Sequence, residues 1–495
     1  MQMLRKVLFY VFVLLYFILC PLTMLYGLGY LFDPKEEKGL VKTGLVYLSS
    51  EPPGATVYIG GKKVADKTPT VLRDLVPGQY AVTLSLAGHE DWSRTLSVGP
   101  AKATVIEHVL LFPEALKVEK LSEQGYQDLL PVTGDHFFLL VKGETLKDLL
   151  VYDWKDESQR PLLPMDSIYS AARVVSTQSV PDSNHLFLKV SLDAQPRYLW
   201  LKVGKDESEV EDVTHLFSQT PDRVTWDAAE KNVVFNLRAG GVDRLNLASK
   251  SLHPGFAGAV RAFGLSDKHV YFLDGENRLK KGDTEGKYLE EMEFAAALTD
   301  IFNEDKVFYR IYTPSEDALL FLGENGRLLM TGHPHAVDRG VRGVEIFKKT
   351  ERALFWTAEK LGAVDFYLPP DEAGTERPTV QAFYAQGRSI RQAFWVKEGS
   401  HVLFNDGDAL SLMDAQVPGQ AALKKVCEVQ QKTAALYLED SGSVYFLEKG
   451  SGYLCKVRLW QKGLIGRLAF KDEEKIAGDE AAPAFRPLSK GRGAL

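Results

Sequence analysis

Cysteine is scarce. The chain has three in 495 residues, and Cys20, Cys427 and Cys455 are too scattered for a disulfide scaffold, a zinc ribbon or a C-x-x-C redox site. An excess of basic charge is also missing: Lys plus Arg number 59 against 66 for Asp plus Glu, so nothing here provides the electrostatic footprint that a phosphate backbone needs, and nucleic acid is not an expected partner. Enzyme signatures are absent too, with no G-x-S-x-G elbow, P-loop, H-E-x-x-H, G-x-G-x-x-G after a strand, or EF-hand spacing. The sequence therefore nominates no catalytic, cofactor-binding or metal-binding residue. What remains is an ordinary globular balance, 25% charged and 45% apolar, in a chain long enough for about three units of roughly 150 residues.

One absence is local. From Val7 to Phe32 there is no charged residue in 26 positions, and a helix of that length spans about 39 Å against a hydrocarbon core of about 30 Å. Arg5 and Lys6 precede the run, whereas Asp33, Lys35, Glu36, Glu37 and Lys38 beyond it are mixed. The positive-inside rule then predicts a cytoplasmic stub at 1–6, a transmembrane helix at 7–32, a linker at 33–42 and an extracytoplasmic remainder. A cleaved signal peptide is the rival reading, disfavoured by the length of the run and the lack of an A-x-A exit. Leu19 before Cys20 argues against lipidation.

Residues 44–111 alternate apolar and polar side chains in short runs separated by Gly and Pro, the period-2 pattern of half-buried strands. The expected strands are 45–50, 56–60, 80–87, 95–98 and 104–111, with Gly60 and Gly61 at a hairpin turn and Pro77 and Gly78 at another. Pro52, Pro53, Gly54 and Ala55, followed by Val57, Tyr58, Ile59, Gly61, Lys62, Thr68, Pro69, Leu75, Pro77, Gly78, Gly88 and His89, resemble the PEGA family. Pro53 stands where the family has Glu, and His89 where it usually has Tyr. The resemblance implies a β-sandwich-like module at 43–112, of a kind common on bacterial and archaeal envelope proteins, and brings no catalytic residue with it.

From Lys117 to about Phe470 a unit recurs: a polar turn, a short apolar strand, a turn and a second alternating strand. The first strands read 137–140, 186–190, 233–237, 270–273, 318–322, 353–356, 402–405 and 434–438, at a mean spacing of about 42 residues, the length of a four-stranded propeller blade. The second strands read 148–154, 197–203, 243–249, 365–369, 409–415 and 443–449. PDSNHLFL and TWDAAEKNVVF resemble TolB-like and tryptophan-aspartate propeller repeats, which implies the fold and no activity. The fold class is mainly β: an N-terminal transmembrane helix, a small PEGA-like β-sandwich and a seven- or eight-bladed β-propeller at 117–470. The charged tail at 471–495 is expected not to fold alone.

Three features could form sites. His333 and His335 flank Pro334 and in an extended segment point the same way, but read better as a turn pair than as metal ligands. The Asn405-Asp406-Gly407-Asp408 loop offers oxygen ligands, yet too few for calcium, and reads as a tight hairpin. Trp154, Trp200, Trp226, Trp356, Trp395 and Trp460 are spread through the repeats and read as blade packing before sugar stacking. The sum is a membrane-anchored extracytoplasmic binding or scaffold protein of the bacterial or archaeal cell envelope, not an enzyme, whose propeller docks a protein or glycan. The alternative is a propeller enzyme acting on envelope glycans as hydrolase or lyase, with its site in the central channel. A single membrane span is expected, and no cofactor.

Overall fold

The computed structural model describes residues 2–32, 39–65, 67–217, 219–227, 229–293, 296–315, 318–333, 335–366, 378–417 and 422–460. The tail at 471–495, the last ten residues assigned to the propeller and linker residues 33–38 lie outside them. The chain divides into two units, Leu116–Arg458 and the remainder.

The N-terminal helix runs Gln2–Gly27, ending earlier than the apolar run. Gly29 adopts φ +80°, a left-handed conformation that closes a helix at little cost for glycine. Tyr30–Phe32, placed by the sequence reading in the transmembrane helix, instead pairs antiparallel with Leu40–Lys42, placed in the linker. Within the helix Val7–Gly27 is long and apolar enough to cross a bilayer, with mean hydropathy 2.4 and none of it buried.

Two sheets build the small module. Thr70–Leu75, Gly44–Glu51 and Ala103–Leu110 form one, its last two strands parallel, and Lys62–Ala65, Thr56–Ile59, Gly78–Ser85 and Trp92–Val98 form the other. Val46, Leu48, Val57, Val82 and Leu84 are fully buried. Lys62–Ala65 and Thr70–Leu75 were not foreseen as strands, because their exposed residues break the alternation. The prolines and glycines of the motif fold onto Thr68. Its hydroxyl accepts the Gly54 and Ala55 N–H groups at 3.1 and 3.0 Å and bonds Ser50 Oγ at 2.5 Å, while Ser50 Oγ donates to the Pro52 carbonyl at 2.7 Å. The motif is thus a hydrogen-bonded turn, and its polar atoms are spent on itself.

The larger unit is a β-propeller of eight blades among the described residues. Its innermost strands, in order, are Asp128–Pro131, Arg173–Ser179, Arg223–Trp226, Val260–Leu265, Tyr309–Tyr312, Gly343–Phe347, Ile390–Val396 and Leu436–Leu438. Blade 1 continues outward through Phe137–Val141, Leu149–Asp153 and Ser158–Pro161, and the other blades follow the same antiparallel meander. Blade 5 has three strands and an isolated bridge from Leu328 to Asp338. Blade 8 is closed by an outermost strand from the other end of the unit, Val118–Gly125, paired with Tyr453–Arg458.

Apolar clusters fill the spaces between successive sheets. Leu139, Leu188 and Leu201 belong to the one between blades 1 and 2, and Leu129, Phe138, Tyr445 and Leu447 to the one between blades 8 and 1. Middle strands are therefore buried on both faces and read as unbroken apolar runs, as in FFLLV. This corrects the strand order read from the sequence. Seven of the eight runs taken as first strands are second strands, and the eighth contains the inner strand Leu436–Leu438. Residues 367–369 of the run at 365–369 lie outside the described residues, and the third strand there is Leu361–Asp365. Cys427 and Cys455 lie on the outermost strand of blade 7 and the third strand of blade 8. Both are free thiols. Burial pushes Cys427 up to about 12, Cys455 nearby adding to it, and burial pushes Cys455 up to about 11.

A repeated turn marks the blades. The residue ending the third strand of blades 1, 3, 4 and 7 is Asp153, Asn246, Asp283 or Asp414, and each side chain accepts backbone N–H groups two to four residues on. One irregularity stands out: the inner strands of blades 4 and 5 pair directly and in parallel, Ala262 with Tyr309 and Phe263 with Arg310, joining seven strands in one sheet. Gly264 permits it, since a Cβ there would stand 2.3 Å from the Ile311 carbonyl oxygen.

Candidate functional site

The innermost strand opens every blade, and strands within a blade alternate, so all eight inner strands run the same way along the channel; the parallel pairing of blades 4 and 5 shows it directly. Their first residues consequently lie around one mouth of the channel. Five consecutive blades, 3 to 7, place an arginine there: Arg223, Arg261, Arg310, Arg342 and Arg391.

Contacts fix their relative depth. The Arg223 guanidinium lies 4.2 Å from the centroid of the Phe308 ring, and the pairing of Ala262 with Tyr309 sets Arg261 beside that same Phe308, with Arg310 two residues further along. Arg342 Nη1 donates to the Ile390 carbonyl at 3.1 Å, which puts it beside Arg391. On the far side of the mouth stands Asp128, whose Oδ1 accepts the N–H groups of Leu129 and Ala434 at 2.8 and 2.9 Å. Arg173 opens blade 2 but pairs with Glu144 at 2.9 Å, both groups exposed.

The five differ in what they touch. Arg223 pairs with Glu324, reaching from blade 3 to blade 5; burial lowers its pKa and the neighbouring Arg310 adds to that. Arg261 donates to Asn277 Oδ1 at 2.7 Å and to the Asp305 carbonyl. The Asp305 carboxylate is held by Tyr309 Oη at 2.5 Å, Asn325 Nδ2 at 3.1 Å and Arg327 at 3.0 Å. Burial works against its ionisation, yet these partners keep its pKa below the usual range. Arg310, Arg342 and Arg391 are exposed and have no carboxylate partner among the described residues.

The features weighed from the sequence do not converge on this mouth as a site. His333 Nδ1 lies 2.9 Å from the His335 carbonyl, a local turn contact, and Pro334 is outside the described residues. Asn405 is buried and donates to the Thr433 carbonyl, Asp406 accepts the Arg388 and Ser389 N–H groups, Gly407 has φ +67°, and Asp408 pairs with Lys449 at 2.5 Å. The loop is a hairpin turn whose Asp406 and Asp408 carboxylates already have partners, while Asn405 Oδ1 is buried without one. Among the described residues no three potential metal-ligating side chains come together. Trp226 and Trp395 are buried between blades 2 and 3 and between blades 6 and 7. Trp200 is partly exposed, stacked on His185 at 4.9 Å in a groove of about 480 Å³ on blade 2, whose charges pair as Lys202 with Glu209 and Lys250 with Glu211.

The arginines escaped the sequence reading because the inner strands did. A signal was present all the same: Ala172, Val260, Tyr309, Val341 and Ile390, apolar and all but Val260 buried, each immediately precede an arginine.

Residues 43–111 match the PEGA domain. No curated protein matches the chain. Among solved structures it is similar to the β-propeller domain of Cps50 (Swd1) from Myceliophteria thermophila, with 10% identity over 70% of this chain and 99% of that one and a TM-score of 0.34. It is also similar to PorZ, an essential bacterial surface component of the type-IX secretion system of Porphyromonas gingivalis (12% identity, 66% of this chain, 42% of that one, TM-score 0.38). A third is YCF48 bound to D1 peptide (11% identity, 69% of this chain, 96% of that one, TM-score 0.34). A PEGA domain and a β-propeller together fit an interaction or scaffold role.

Proposed function

We propose that this chain is a membrane-anchored docking protein of the bacterial or archaeal cell envelope. The N-terminal helix spans the bilayer with residues 1–6 in the cytoplasm, and the PEGA domain and propeller work outside, holding a partner without turning it over. The observation that carries the reading is the helix at Val7–Gly27, apolar and unburied, with Arg5 and Lys6 on its N-terminal side. Supporting it, the motif atoms of the PEGA domain are consumed by the Thr68 turn, and Asp128, Asp305 and Asp406 at the propeller all hold structural hydrogen bonds. A disc with a broad face whose acids Asp128, Asp305 and Asp406 are tied to structural partners suits docking better than hydrolysis.

Protease added to intact spheroplasts is expected to remove the propeller, read by a C-terminal tag, while an N-terminal tag survives in a small fragment. Full protection of the propeller refutes the topology. For the absence of turnover, the purified chain is expected to leave a panel of envelope glycans unchanged; cleavage lost on replacing a channel-mouth acid such as Asp128 would establish a glycan hydrolase or lyase.

A further inference from the structure

We propose that the arginine arc at the channel mouth is the docking site for an acidic, extended peptide segment of a partner protein. This deepens the docking reading above and rests on it for the compartment in which partner and propeller meet.

Charge makes the first argument. The chain as a whole carries a formal charge of −7, yet five consecutive blades bring a guanidinium to one mouth. Glu324 neutralises Arg223, Asp305 is shared with Arg327, and the Asp128 carboxylate is turned onto two backbone N–H groups. Arg310, Arg342 and Arg391 are left facing solvent with no carboxylate partner among the described residues. Three guanidiniums on adjacent blades with no carboxylate partner among the described residues leave donors that a ligand carboxylate can fill, and a guanidinium fork matches a carboxylate geometrically.

Backbone chemistry makes the second and favours a peptide over an anionic glycan. Inner strands present one edge to the channel. The parallel pairing of the blade 4 and blade 5 inner strands shows that an inner edge of this propeller can take a strand in this position. Blade 7's channel edge is already used by Arg342, Trp356 and Glu345, but Gly343–Phe347 of blade 6 has no second ladder partner among the described residues, so an extended peptide entering at Arg310, Arg342 and Arg391 can bond that edge and alternate its acids toward the arginines, using both the ladder and the charges. A polysaccharide can use only the charges.

The test uses the whole chain in detergent and a fluorescent peptide that alternates Glu with Val, with an otherwise identical Gln–Val peptide as control. Anisotropy is expected to show binding of the Glu–Val peptide that weakens as salt rises from about 0.05 to 0.3 M. The double variant R310Q/R391Q is expected to bind it about tenfold or more weakly, whereas R173Q, at the arginine already paired with Glu144, leaves binding unchanged. Both arginines are exposed and have no ion-pair partner among the described residues, so melting of the double variant should match the parent. As a variant independent of lost packing, R310E/R391E should exchange preference to a Lys–Val peptide. Equal binding of the Glu–Val and Gln–Val peptides, or of the Glu–Val peptide to parent and R310Q/R391Q, overturns the proposal. So does arc-dependent binding of polygalacturonate with no binding of the peptide, which would give the site to an anionic glycan. None of these results depends on spheroplast topology, so the two readings fail separately.

Discussion

Glu345 gives the propeller a pH dependence that can be worked out from its surroundings. It lies on the inner strand of blade 6, and its Oε2 accepts the Trp395 N–H of blade 7 at 2.9 Å. Burial pushes its carboxyl from the ordinary 4.5 up to about 7, offset in part by that N–H. Because the folded-state pKa is raised, the protonated form is the one the fold tolerates. Below about pH 4.5 both states hold the proton and nothing is lost; from there to about 7 the unfolded carboxylate ionises while the folded one does not, and stability falls as pH rises. Above pH 7 the whole cost is present, about 3 kcal/mol at 1.36 kcal/mol per pKa unit. E345Q keeps an oxygen acceptor for Trp395 and carries no charge. Thermal melts of the whole chain in detergent should therefore show parent and E345Q alike near pH 4.5, with E345Q higher by about 4 to 5 °C near pH 8.5, given the entropy of unfolding a propeller of about 340 residues. An offset independent of pH, or a lower melting temperature for E345Q at pH 8.5, would refute the reasoning.

The Thr68 knot predicts that T68V, which keeps the shape and removes the hydroxyl, leaves the Gly54 N–H on the Thr68 carbonyl but strips the acceptor from the Ala55 N–H and the partner from Ser50, costing the PEGA domain about 1 to 3 kcal/mol; hydrogen exchange should quicken across 43–111 and stay unchanged in the propeller. G264V drives a side chain into the Ile311 carbonyl and should part the inner strands of blades 4 and 5 at a cost of about 3 kcal/mol, seen as faster exchange at 260–265 and 309–312 first. Cys427 and Cys455, both with raised pKa values, should react with maleimide at pH 8 roughly a hundredfold more slowly in the native chain than in urea; equal rates would contradict their burial.

Legibility followed burial. Strands such as Val233–Arg238 and His401–Asp406 are packed on both faces, so their apolar runs announce them in the sequence and their spacing gives the blade length. Inner and outer strands are different: Ser158–Pro161 and Ser251–Ala257 are largely exposed and carry Pro or Gly, which leaves neither alternation nor a run to detect. Missing them shifted the strand order by one. The PEGA domain was legible for another reason, because its turn chemistry at Gly54 and Thr68 depends on residue identity and spacing instead of periodicity. The arginine arc could not be seen until the inner strands were placed, since only their shared direction turns five scattered arginines into neighbours around one opening.

The closing strand of blade 8 also bears on how the molecule is made. Val118–Gly125 leaves the ribosome long before its partner Tyr453–Arg458, and with about 330 residues between them, synthesis at about 5 to 20 residues per second separates the two by roughly 15 to 65 s. During that interval the growing ring has two open ends, each the apolar face of a blade, such as the Leu129 and Phe138 side of blade 1, able to stick to another chain, while Val118–Gly125 waits without its ladder. Blades 1 to 7 can stack on one another as they emerge, but the circle cannot lock until the final hairpin arrives. Chain synthesis and the capture of nascent strands by chaperones thus become part of this fold's assembly, and premature termination anywhere before Tyr453 yields an arc with two adhesive edges instead of a smaller propeller.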